Sequence, residues 1–228
     1  QAIKNSGVSP FYINTSLSCL TNPVLGKIGL APTIGIGNVD LIAPAILTYV
    51  NRKTGVPKSN IEIYLVCHHQ HWVYPREAGY KPGAPYFLKI MIENEDVTQQ
   101  FNADEVMYDS VKLYPPGIGF TTVSASSTLK NLKAMVNDEG LRTHSPGPNG
   151  LPGGYPVKLN AEGAEVVLPS EITLEEAVRM NEESGQLDGI KEIKDDGTVV
   201  FADYSYEIMK EIMGFDCKSF IPSESKEC

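Results

Sequence analysis

The sequence predicts a mixed α+β fold in which small antiparallel sheets pack with helices in a single body. Three observations lead there. Two β-prone runs fold back around turn residues, "YPVKL-NAEG-AEVVLP" and "DGIKEIKDDGTVVF", the second with Asp196-Gly197 suited to a tight hairpin. Other stretches repeat apolar residues at helical spacing between start and stop residues. Finally, 42% apolar and 21% charged residues over 228 positions can bury one substantial core, which excludes wholesale disorder. Residues 1–228 are therefore expected to form one domain.

"SPFYIN" reads as a strand ending near Asn14. "TNPVLGKIGL" follows, with Pro23 where a helix can begin. "APTIGIGN" reads as a buried strand entering a glycine turn. Leu41, Ile42, Ala45, Ile46, Tyr49 and Val50 then share a helical stripe, with Asn38 or Asp40 as cap and Gly55 as stop. Pro44 fits that helix only within its first turn. "NIEIYLVCHHQHWVY" reads as one long strand and "YFLKIMIEN" as another. Leu129, Leu132, Met135 and Val136 space out as the inner face of a helix ended by Gly140. "THSPGPNGLPGG" reads as a long loop, either a connector or a pocket wall. Thr173 and Glu176 of "TLEE" match a capping box. A last helix should turn Ile208, Met209, Ile212 and Met213 inward and stop at Gly214.

The net charge of −9 provides no basic footprint for phosphates, so a nucleic-acid partner is not expected. No run approaches the roughly 20 apolar residues of a membrane span. The start lacks the regions of a signal peptide. Cys19, Cys67, Cys217 and Cys228 form no C-x-x-C pair, so neither a zinc knuckle nor a disulfide scaffold is indicated, and a cytoplasmic setting is expected. No G-x-G-x-x-G or P-loop is present, and a glycine-cradled nucleotide site is not encoded.

The chemistry-bearing candidates gather around "LVCHHQHWVY". On a strand, His69 and His71 would share a face with Cys67, and His68 would share the other with Gln70. A proton-transferring imidazole needs a carboxylate to orient it and stabilise its charge. Asp40 is the candidate partner for His69 or His68. The competing readings are a hydrogen-bonded structural histidine and a divalent-metal site at His69 and His71, completed by Asn38, Asp40 or Cys67. Asn14 and Asn22 are turn or cap residues or substrate contacts. Thr121, Thr122 and Ser124 either cap the following helix or line a pocket.

The order of these features resembles the lactate/malate dehydrogenase superfamily. A strand-end Asn, an "NP" helix, a glycine turn with N-x-D opening a helix, and a His-bearing strand match the substrate half of those enzymes. "GFTTVSASSTLKNLKAMV" resembles the helix that lines their substrate pocket, and "GGYPVKLNAEGAEVVLPSEITLEEAVRMNEESGQ" their closing hairpin and C-terminal helix. The resemblance implies a fold like their C-terminal domain and proton exchange by His69 or His68 with Asp40. It implies substrate contacts at Asn14, Asn22, Asn38, Thr121, Thr122 and Ser124. It also implies NAD or NADP carried by a Rossmann-type N-terminal domain, in the same or another chain, which this sequence lacks, and a homo-oligomer. The family's H-G-D is replaced by His69-Gln70-His71, and its carboxylate-clamping Arg by Ala43-Pro44, leaving Arg76 or Arg142 as substitutes. "TNPV" and "HHQHW" are also similar to NAD- and manganese-dependent family 4 glycosidases, whose metal-binding Cys has no counterpart in Gly35-Ile36-Gly37-Asn38. The implied function is the catalytic portion of an NAD(P)-dependent oxidoreductase acting on a small hydroxy or oxo compound. The alternatives are a non-catalytic binding or assembly domain and a metal-dependent hydrolase or lyase.

Overall fold

The computed structural model describes residues 2–79, 81–114 and 119–222. In chain order the elements are α1 (Ala2–Ser6), β1 (Ile13–Asn14), α2 (Ser18–Lys27), β2 (Ile34–Gly35), α3 (Val39–Thr54), β3 (Ile61–Val66), α4 (Gln70–Val73), β4 (Phe87–Ile92), β5 (Glu95–Asp96) and α5 (Ala103–Ser110). The second half adds α6 (Gly119–Val136), β6 (Leu141–Pro146), β7 (Gly154–Asn160), β8 (Gly163–Val166), α7 (Leu174–Gly185), β9 (Ile190–Ile193), β10 (Val199–Phe201), α8 (Asp203–Met213) and β11 (Ser219–Phe220). Among the described residues no helix is long and apolar enough to cross a membrane.

Three small antiparallel sheets carry the architecture: β3-β4-β5, β6-β7-β8 and β11-β10-β9. β1 and β2 form a short parallel pair. A bridge between Cys67 and Gly154 ties the first two sheets together just where β3 ends and β7 begins. α3 supplies the core between them: Val39, Ile42, Ile46 and Val50 are fully buried against Ile63, Leu65 and Ile90. A second cluster gathers Ile34, Tyr155, Val157 and Leu159 with Met135 of α6 and Ala177 of α7. Removing such side chains from water is the main stabilising term of the domain.

Several local readings hold. Gly55 ends α3 in the left-handed region at φ 75°, its N–H donating to Asn51 O. Thr173 and Glu176 form the reciprocal capping box of α7. Gly35 in the glycine turn allows a close approach, since a Cβ there would lie 2.2 Å from Ser18 Cβ and 2.5 Å from Pro146 O. The turn thereby seats α2 against β6.

Other readings are corrected. Pro23 lies inside α2 rather than at its start, and Pro44 lies past the first turn of α3. Asn38 precedes α3 with φ 52° and makes no side-chain cap, nor does Asp40. "THSPGPNGLPGG" is mostly strand, because Thr143 to Pro146 pair with Val157 to Gly154 and leave only residues 147–153 as the turn. β3 stops at Val66, and His68 O and His69 O accept from the N–H groups of His71 and Trp72, winding the histidines into a helical turn. The alternation expected of a strand is lost there, and His68 and His69 become neighbours.

α6 is rotated from its expected face. Leu129 and Val136 are about 70% exposed (68% and 70%), whereas Ser127, Asn131, Ala134 and Met135 are buried. A carboxylate buried on α3 draws the polar residues of α6 inward and decides the rotation, as described below. α8 likewise keeps Ile208, Ile212 and Met213 exposed rather than inward.

His144 shows how burial couples the core to pH. It is buried in β6, and its Nε2 accepts the Leu65 N–H at 3.2 Å, pinning β6 to β3. Burial, and then the charge of Lys130, pushes its pKa down to about 3. The unfolded chain, with a pKa near 6.5, takes up this proton first. The contribution is complete above about pH 6.5 and is lost as pH falls toward 3, amounting to about 2 kcal/mol at pH 5. Unfolding curves of wild type and His144→Gln between pH 7.5 and 5 should show the variant losing less stability on acidification. Parallel curves would contradict this assignment.

Candidate functional site

Buried polar side chains from four parts of the chain meet where the first two sheets join. α2 contributes Cys19, the turn after β3 contributes His68 and His69, α4 contributes Gln70, and the turn after α7 contributes Asp188. His69 Nε2 lies 3.1 Å from Asp188 Oδ1, and His68 Nε2 lies 3.3 Å from Asp188 Oδ2. Gln70 Nε2 donates to Asp188 Oδ1. The two imidazoles stand 4.3 Å apart, centroid to centroid, at 39°. Cys19, His68 and His69 can each offer a ligand atom within 4.8 Å of the others. Asn38 Nδ2 donates to Cys19 Sγ at 3.2 Å, which brings one expected residue into the cluster.

A cavity of about 750 Å³ opens beside these groups, lined by Cys19, His68, Asn181, Lys27, Arg179 and Lys191 among others. His68 therefore faces the cavity, and His69 and Asp188 stand behind it. Several buried polar atoms here have no hydrogen-bond partner: His68 Nδ1, Gln70 Oε1 and Asn181 Oδ1. Each such group costs about 1–3 kcal/mol when removed from water. They concentrate around the two imidazoles and the adjoining cavity wall.

The two rings are driven apart electrostatically. Burial and then the neighbouring His69 push His68 down to about 3, against the pull of Asp188. Burial alone would also lower His69, but hydrogen bonding and charge from Asp188 and Cys19 outweigh it and raise it to about 10. A proton on one ring thus disfavours a proton on the other, and near neutrality the pair holds one extra proton, on His69.

Asp40 is not part of this cluster. Its carboxylate is buried and pairs with Lys130 Nζ. It also accepts from Ser127, from Thr143 Oγ1 at 2.8 Å and from Asn131 Nδ2 at 3.2 Å. The expected Asp40–histidine pair is therefore replaced by Asp188, which sits far along the chain and reads in sequence as the approach to a hairpin. His71 also departs from the expected metal pair. Its Nε2 lies 3.2 Å from Pro85 O and its ring stands edge-on to Tyr86, and burial pushes it down to about 4. Cys67 is buried in the bridge to Gly154, and burial pushes its thiol well up; Cys19 is the cysteine that meets the histidines.

The remaining candidates disperse. Asn14 Nδ2 donates to Asn22 Oδ1 at 2.7 Å, and Asn22 donates to Gly147 O at 2.9 Å, so both brace α2. The Arg76 guanidinium lies over the Trp72 ring at 4.6 Å. Thr121 and Thr122 are exposed on α6 and Ser124 is half-buried; none of them lines the 750 Å³ cavity. Arg142 pairs with Glu62 at 3.2 Å on the surface.

No protein-family model and no curated protein matches the sequence. Solved structures do match the fold. The malate dehydrogenase from Aeropyrum pernix superposes with a TM-score of 0.53 at 16% identity, over 81% of this chain and 62% of that one. The lactate dehydrogenase from Cryptosporidium parvum, solved with lactic acid and nicotinamide adenine dinucleotide, gives 0.53 at 14% identity, over 82% and 63%. MGS-M5, a lactate dehydrogenase from a Medee basin deep-sea metagenome library, gives 0.53 at 13%, over 82% and 64%. The chain spans less than two thirds of the length of these enzymes. Small antiparallel sheets packed with helices, in this order, make its fold a lactate/malate-dehydrogenase-like one.

Proposed function

We propose that the chain is the substrate-binding and proton-transferring portion of a dehydrogenase-like oxidoreductase acting on a small hydroxy or oxo compound. The observation that carries this reading is the carboxylate-bridged imidazole pair, Asp188 between His68 and His69, beside a cavity of about 750 Å³. The dehydrogenase-like fold supports it. His68, on the cavity wall, is the ring that meets the substrate oxygen. In carbonyl reduction His68 gives a proton to that oxygen and is replenished from His69 by way of Asp188, which lies between the two rings; in alcohol oxidation the proton returns by the same route. Asp188 stabilises the charged form of both rings. The wall carries Lys27, Arg179 and Lys191 together with Glu182, Glu183 and Glu192, so its charges balance and set no sign for the substrate.

Hydride transfer needs NAD or NADP. No phosphate-cradling glycine motif occurs in the sequence, so the cofactor belongs to a Rossmann-type domain in the same or another chain. A cytoplasmic homo-oligomer is part of the same proposal.

The test is consumption of NADH or NADPH with a panel of small 2-oxo acids and keto sugars, by this chain together with such a domain. His68→Gln is expected to lower turnover by about 10²–10⁴-fold, the usual contribution of a positioned acid–base group. Equal rates for wild type and variant, or no consumption with any member of the panel, would remove the oxidoreductase reading. The alternative of a non-catalytic binding domain would then stand.

A further inference from the structure

We infer that Cys19, His68 and His69 form a binding site for a divalent transition-metal ion, with its open coordination position turned toward the cavity. It rests on the cluster being the reacting centre, with an ion facing the substrate oxygen in place of the His68 ring. The ligand set differs from His69 with His71, because His71 is turned away toward Pro85.

The ligand atoms come first. One thiol and two imidazoles lie within 4.8 Å of one another, close enough for small side-chain rotations to bring all three onto one ion. Thiolate and imidazole together select borderline-soft ions such as zinc or cobalt, bound at about 2.0–2.3 Å. An orphaned buried atom is the second, independent observation. His68 is 1% exposed, yet its Nδ1 atom has no partner. A bound ion is one way to satisfy such an atom without disturbing the fold.

The outer shell also fits. Metal-bound imidazoles usually present their second nitrogen to a carboxylate, which fixes the ring and its tautomer. Asp188 stands at that distance from Nε2 of both rings, which leaves both Nδ1 atoms for an ion. Asn38 Nδ2 donates to Cys19 Sγ at 3.2 Å, a contact that steadies a thiolate. Three protein ligands leave a fourth position, the pattern of catalytic rather than structural zinc. Cys19 and His68 both stand on the cavity wall, so that position is reachable by a small molecule.

The experiment reads metal alone, so its outcome is independent of turnover and separates this inference from the oxidoreductase reading. The full chain is stripped with chelator and titrated with cobalt(II) under anaerobic reducing conditions. Binding is expected to saturate at one ion per chain, with visible bands of a four-coordinate site and a thiolate-to-cobalt charge-transfer band. Cys19→Ser should abolish the charge-transfer band, and His69→Gln should weaken binding beyond the roughly 10–100-fold that loss of an outer-shell partner costs. His71→Gln should leave both unchanged. Circular dichroism of each variant checks the fold, and a rise in the wild-type melting temperature with zinc(II) provides a readout that needs no variant. Absence of stoichiometric binding and of any zinc-induced stabilisation overturns the site. So does a charge-transfer band that survives in folded Cys19→Ser, or one that vanishes in His71→Gln.

Discussion

Asp188→Asn is expected to lower turnover by about 10²–10⁴-fold with little change in substrate affinity. The substitution preserves shape, and Asp188 does not line the cavity, so ground-state binding has no reason to change. What is lost is the charge that both imidazoles face, at 3.1 Å from His69 and 3.3 Å from His68. Without it, burial acts unopposed on His68 and only Cys19 still opposes it on His69, so the pair's hold on its extra proton at neutral pH is weakened. The defect should therefore fall on kcat, and fold and melting temperature should be retained. A variant with wild-type kcat, or one whose loss lies wholly in KM, would place the proton elsewhere.

The largest expected effect on stability is at a residue outside the site. Lys130→Met should destabilise the chain by about 3 kcal/mol, at the lower end of what breaking a buried ion pair costs. Asp40 has a fully buried side chain, and Lys130 is its counter-charge. Methionine keeps the apolar stem and removes that charge together with the Lys130 Nζ donation to Thr143 Oγ1 at 2.6 Å. Ser127, Thr143 and Asn131 still donate to the carboxylate and hold the loss to the lower end. The double variant with Asp40→Asn should recover part of the loss, because the uncompensated charge is then gone, and a double-mutant cycle measures the coupling. Urea unfolding midpoints give the numbers. A single variant within about 0.5 kcal/mol of wild type, the range of an ordinary surface change, would contradict the assignment.

Features whose cause is local were legible in the sequence. The hairpins over 154–166 and 190–201, the capping box at Thr173 and Glu176, and the stops at Gly55 and Gly214 depend on residues a few positions apart. The order of elements carried the fold class, as the superposition with malate and lactate dehydrogenases bears out. Features set by distant contacts were not legible. The leucines of α6 outrank its serine and asparagine on any hydrophobicity scale, yet the buried charge of Asp40 turns Ser127, Lys130 and Asn131 inward. "HHQHW" is β-prone in isolation, but β3 ends at Val66 and the histidines turn out of the sheet. The histidines that the sequence singles out meet a carboxylate, but it is Asp188 and not Asp40, which the resemblance implied. Asp188 gave no signal beyond an Asp-Gly pair before a hairpin, and only tertiary folding brings it beneath the two rings.

The proton itself can be observed. Long-range proton–nitrogen spectra of the imidazoles in the metal-free chain at pH 7 report which ring nitrogens carry hydrogen. The prediction is an imidazolium at His69, raised to about 10, beside a neutral His68, with the His69 signals moving to those of a neutral ring in Asp188→Asn. Two neutral rings in the wild-type chain, or a His69 spectrum indifferent to the loss of Asp188, would contradict the shared-proton centre.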